Sequence, residues 1–178
     1  KKSLKDAIQN PEIISVVGGL IGLKNYVRIY DYPTGTTVKD WCYLGRFSNT
    51  SGSLSVVLHI YGSIGYNARA NQNAFATIYI KDSFDGVSSL AKAYGVYVEL
   101  HELDQKFIDD IKVIATSATS CEVYIKFSST SSDVNSIKGS YSVEGNGRTK
   151  WEHSGALLDA TPSSGTEQSI TIRKVVVE

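Results

Sequence analysis

The sequence predicts an all-β protein, an antiparallel β-sandwich of jelly-roll type preceded by a short N-terminal helix or linker. Three observations lead there. Hydrophobic residues recur with period two in run after run, the pattern of strands with one face on a core. The pieces between the runs are rich in Ser, Thr, Gly, Asn and Asp, which make turns. The 11 tyrosines and a Val/Ile/Thr-heavy composition suit pleated sheets better than helices.

The first segment is the exception. "SLKDAIQN" (residues 3–10) reads as a helix, with Ser3 as cap, Asp6 as the acidic partner of a capping box and Pro11 as the stop. Residues 1–23 form a lead-in from an upstream domain, and the sandwich occupies residues 24–178. Methionine is absent even at position 1, so the expectation is a piece cut from a longer chain. "IISVVGGLIGL" is too short to span a membrane and lacks a cleavage pattern.

"NYVRIYDY" and "TVKDWCYLGRF" are the first strand candidates. In "SLSVVLHIY", Leu54, Val56, Leu58 and Ile60 point one way, and Val57, His59 and Tyr61 the other. "AFATIYIK" opposes Ala74, Ala76, Ile78 and Ile80 to Phe75, Thr77 and Tyr79, and "AYGVYVEL" sets Val96, Val98 and Leu100 against Tyr97 and Glu99. "DIKVIATS" precedes "CEVYIKF", which turns Cys121, Val123 and Ile125 away from Glu122, Tyr124 and Lys126. "KGSYSVEGN" and the closing "QSITIRKVVVE" complete the set. Val57, Tyr61, Phe75 and Tyr79 make the second face apolar as well. An isolated sandwich leaves that face polar, so either a subunit interface or a covering connection is expected.

Composition narrows the function. With 18 Lys plus Arg against 18 Asp plus Glu the formal net charge is zero, and no global attraction to nucleic acid or anionic lipid follows. Two cysteines, Cys42 and Cys121, allow one disulfide. Both sit in apolar runs and read as free, buried thiols. His59, His101 and His153 have no metal-ligand spacing, and "HELD" is no HExxH, so no metal or cofactor is expected. No nucleophile elbow, P-loop or dinucleotide glycine pattern occurs. Glu99, Glu102, Asp104, Asp109 and Asp110 cluster in sequence but read as solvated strand faces and not as a glycosidase pair. Asp31, Asp82 and Asp85 form no EF-hand. A non-catalytic role is the expectation.

The run from Trp41 to Ser83 resembles the C-terminal domains of bacteriophage tail spikes and tail fibres. The matching residues are Leu44, Gly45, Gly52, Leu54, Gly62, Gly65, Tyr66, Asn67, Gln72, Asn73, Lys81 and Ser83, within a likeness over about residues 24–150. The resemblance implies a homotrimeric β-sandwich at the distal end of a fibre, which contacts cell-surface polysaccharide, holds three chains in register, or does both. It implies a virion tail component assembled in the host cytoplasm, with any polysaccharide-degrading domain upstream.

Two groups of candidate site residues follow. Asn67, Gln72 and Asn73 read as structural or interface amides, from whose segment Tyr66 and Arg69 reach a ligand. "EGNGRTKWEH" places Trp151, Arg148, Asn146, Glu152 and His153 in one Gly-punctuated hairpin, the residue types a sugar site uses. The other reading of that hairpin is an ordinary turn with Trp151 in the core. A stand-alone monomeric lectin-like sandwich is the alternative function, and a depolymerase fragment the third.

Overall fold

The computed structural model describes residues 25–31, 41–48, 54–63, 73–83, 89–102, 108–127, 138–145, 149–162 and 164–175. These residues contain eleven strands: β1 (Asn25–Asp31), β2 (Trp41–Ser48), β3 (Ser55–Ser63), β4 (Asn73–Asp82), β5 (Tyr94–Glu102), β6 (Ile108–Ser117), β7 (Ser120–Phe127), β8 (Lys138–Gly145), β9 (Lys150–Leu158), β10 (Thr166–Glu167) and β11 (Ile170–Val175). The expected N-terminal helix and the lead-in of residues 1–23 lie outside the described residues. Among the described residues the only helical piece is one 3-10 turn, Leu90–Lys92, capped by the Ser89 hydroxyl.

The strands form two sheets, one of six in the order β1-β8-β3-β4-β5-β11 and one of five in the order β10-β6-β7-β2-β9. Every pairing is antiparallel except β5 with β11. That departs from the purely antiparallel expectation, and the reason is local. The chain passes from β10 to β11 within two residues without reversing direction, so β11 inherits the sense of β10.

Gln168 builds this corner. Its backbone N–H donates to the Val113 carbonyl, its Oε1 accepts from the Tyr94 N–H, and its Nε2 donates to the carbonyls of Leu90 and Thr166. A buried amide with its acceptor and both donors engaged satisfies backbone groups that the crossing would otherwise strand.

Both sheets contribute to one core. Leu58, Ile60, Ile78, Val98 and Val143 from the six-stranded sheet meet Cys42, Leu44, Phe47, Val113, Val123 and Ile125 from the five-stranded sheet. The inward set along β3, β4, β5 and β7 is the one the alternation indicates. Fully burying side chains of this size contributes about 1.5–3 kcal/mol each.

The segment "KWEHSGALL" forms strand β9, which the sequence reading passed over as part of a hairpin. Two facts account for this. β8 and β9 do not pair with each other: β8 lies between β1 and β3, and β9 pairs with β2. The alternation of β9 is also broken by an irregularity between the pairs Tyr43–Ala156 and Gly45–His153, where Gly155 takes a positive φ of 72°.

Candidate functional site

Register brings the outward residues of the six-stranded sheet into rows that cross the strands. Tyr61, Phe75 and His101 stand side by side on β3, β4 and β5. Four residues along, Val57, Tyr79 and Tyr97 form a second row. Between them runs a polar row of Ser142, His59, Thr77, Glu99 and Arg173 from β8, β3, β4, β5 and β11. By strand rise the two aromatic rows are roughly 13 Å apart.

The rings stack along each row. Phe75 and His101 lie at 3.9 Å and 13°, Tyr61 and Phe75 at 6.5 Å and 32°, and Tyr79 and Tyr97 at 5.6 Å and 33°. Phe75 and His101 therefore turn their faces on each other, and the other two pairs are tilted. Tyr61, Phe75 and Tyr79 remain 49%, 42% and 39% exposed. In the polar row, the Thr77 hydroxyl lies 3.5 Å from His59 Nδ1, and the Tyr97 hydroxyl donates to Glu99 at 2.9 Å. The hydrogen bond to Glu99 is the main cause that raises the Tyr97 hydroxyl's pKa, and a hydrogen bond with Arg173 opposes it.

The outer face of the five-stranded sheet is built differently. Trp41, Ile114 and Tyr124 form a small buried cluster there, with Tyr43 and Leu158 against it. The connection joining the opposite edges β9 and β10 meets this face at both ends. Leu158 packs on the cluster, and at Gly165 a Cβ would sit 2.6 Å from Ile114 Cγ2. Beside it, Glu122 accepts from the Tyr124 hydroxyl (2.6 Å), Arg46 (2.7 Å) and the Tyr43 hydroxyl (3.4 Å). Burial pushes the Glu122 carboxyl up, but these hydrogen bonds and the guanidinium charge outweigh it and hold it below its ordinary range. All three donors converge on one carboxylate, which makes the cluster a closed structural network.

The candidate sugar hairpin is divided by the fold. Trp151 is half-buried against the core and its indole N–H donates to the Tyr141 hydroxyl at 3.1 Å. That hydroxyl donates to the Leu44 carbonyl at 2.7 Å and also meets His153 Nδ1. A tyrosine hydroxyl has one proton, so whenever it donates to the carbonyl the contact with Nδ1 needs the hydrogen on the ring. Burial lowers the His153 pKa, partly offset by its hydrogen bond with the Leu44 backbone. Glu152 points to the other face and approaches Arg46 at 4.0 Å. Asn146 and Arg148 lie outside the described residues, as do Tyr66, Arg69, Asn67 and Gln72. Asn73 opens β4, exposed and opposite Ser63. Cys42 and Cys121 are free and buried, and burial pushes the Cys42 thiol up to about 12.

The structure thus gathers Val57, Tyr61, Phe75 and Tyr79 onto one surface and adds His59, Tyr97, Glu99, His101 and Arg173 to it. Alternation had put Tyr97 and Glu99 on an outward face, but their alignment with Tyr79 and Thr77 depends on register. Among the described residues no group of three His, Cys, Asp or Glu side chains is placed to hold a metal ion.

No family model and no curated protein matches the sequence. Solved structures resemble it to differing degrees. One is Pantoea stewartii WceF, described as a glycan biofilm modifying enzyme with a bacteriophage tailspike-like parallel β-helix fold. It superposes with a TM-score of 0.56 at 14% identity, over 79% of this chain and 22% of that one. Another is the tailspike protein of Acinetobacter baumannii phage AM24, with a TM-score of 0.33 at 10% identity, over 72% of this chain and 27% of the other. The chain therefore spans about a quarter of the length of these proteins. At such identities the likeness is one of fold, and only the first superposition carries weight.

Proposed function

We propose that this chain is a non-catalytic module of a tailspike-like protein of the phage tail, and that it joins copies of itself, as a homotrimer, through the outer face of the six-stranded sheet. On this reading the two layers are a jelly-roll-like sandwich.

The observation that carries the proposal is the exposed aromatic face. A sugar platform offers a flat ring face to the apolar side of a pyranose. Here Phe75 and His101 turn their faces on each other and the tyrosines tilt against their row neighbours, which leaves an uneven aromatic surface that a second protein surface can interlock with. On the opposite outer face the large side chains are already buried, as Trp41, Ile114 and Tyr124 cluster there with Tyr43 and Leu158 against them. Six strands of some eight residues present roughly 700 Å² by strand spacing and rise, close to the ~800 Å² per partner of a standard interface. The face also carries charges of both signs, Glu144 toward the β8 side and Arg173 on β11, so copies meeting side to side bring opposite charges together.

Light scattering on the chain and on a Tyr61→Ser/Phe75→Ser variant tests this. The expected result is the mass of three chains for the first and of one for the second, with unchanged circular dichroism. A single-chain mass for the unaltered protein at micromolar concentration overturns self-association. Bacterial surface polysaccharide then becomes the partner to test, with the monomeric lectin-like module as the reading that replaces it.

A further inference from the structure

Both imidazoles on this surface sit where a partner copy would cover them. His101 lies parallel to Phe75 within the first aromatic row. His59 occupies the polar row, opposite Thr77 on one side and Ser142 on the other. Resting on the self-association reading, we infer that assembly through this face is reversed by acid, with His59 and His101 as the groups whose protonation separates the copies.

The physical chain is short. In the separate subunit both imidazoles are only partly buried, so either protonation state is hydrated. In a closed interface the neutral ring is accommodated and the imidazolium loses its water, and desolvation disfavours the charged form. Histidine is the side chain that changes charge between about pH 5 and 8. The separated copies therefore bind more protons than the assembly, and by linkage a fall in pH shifts the balance toward them.

The neighbouring charges set the sign. His101 is faced by Phe75 from β4, by Val175 and Arg173 from β11, and by Glu99 two residues earlier on β5. His59 is faced by Thr77 from β4 and by Ser142 and Glu144 from β8, with Glu99 one strand beyond Thr77. Of the two carboxylates, Glu99 is held by the Tyr97 hydroxyl, which also meets Arg173. An imidazolium at His101 would meet the hydrogen-bonded Glu99 carboxylate and the like-charged Arg173, and one at His59 would meet Glu144 and Glu99, an attraction that the loss of water in a closed interface has to exceed. Desolvation decides.

The test is sedimentation equilibrium of the native chain and of a His59→Gln/His101→Gln variant, at graded pH from about 8 to about 5. The native chain is expected to dissociate as pH falls, its dissociation constant rising at least ~10-fold across the histidine range. Whatever its dissociation constant at about pH 8, the variant should keep that value as pH falls, with an unchanged far-ultraviolet spectrum. Assembly of the native chain that ignores pH overturns acid control and leaves self-association standing. Equal acid dissociation of chain and variant also overturns it, by assigning the effect to Glu99 or Glu144. A single-chain mass at every pH overturns the self-association reading itself.

Discussion

Glu122 is a carboxylate on an outward-facing position of β7 that is nonetheless buried, because Tyr43, Arg46 and Tyr124 close over it. Its folded-state pKa lies below the unfolded value, so its contribution to stability is present above the ordinary glutamate range near about 4.3. It is lost as pH falls from there through the depressed folded value. Chemical denaturation across that window should show stability dropping for the native chain, and Glu122→Gln should flatten the drop. At neutral pH, Glu122→Gln should cost about 1–3 kcal/mol, since one charge-assisted acceptor set is lost and Arg46 keeps only the longer contact with Glu152. Tyr141 is its counterpart between the sheets. One hydroxyl serves Leu44, Trp151 and His153, and so ties β8 to β2 and β9.

At the scale of the element, Gly45 shows why β2 carries a glycine in mid-strand. Its φ of 153° falls in the range side chains avoid, and a Cβ there would collide with the Glu152 carbonyl oxygen and lie 2.8 Å from the Trp151 ring. Gly45→Ala should destabilise the protein by more than ~2 kcal/mol, read as a lower midpoint in urea with an unchanged slope. The β2–β9 pairing is then the first to loosen. The backbone reason for Gly45 is visible only once Trp151 is seen to pass over it. The period-two runs themselves were readable in the linear chain. β9 was not, because a bulge interrupts its alternation and its pairing partner lies more than a hundred residues earlier.

For the whole molecule, one core shared by both sheets means that its inner residues open together. Cys42 on β2 and Cys121 on β7 are both fully buried in that core. Burial pushes both thiols up, Cys121 with further help from the Glu122 and Asp82 charges, so little thiolate exists in the folded state. A thiol reagent should label both cysteines together, at a rate that follows global unfolding as urea is raised. Labelling of one cysteine well before the other would mean that the sheets part separately.

The amino-acid sequence by itself determined the all-β class, the inward and outward faces of β3, β4, β5 and β7, and the apolar character of the second face. Alternation with period two is a local property, and local properties are legible in a linear string. The tertiary structure alone decided which outward residues become neighbours. Phe75 meets His101, and Glu122 collects Tyr43 and Arg46, through strand register across separations that no spacing rule encodes. It also sent Trp151 and Glu152 to opposite faces and joined β11 to β5 in parallel. The last of these follows from how the chain crosses between the layers, where Gln168 satisfies the backbone groups that the crossing leaves.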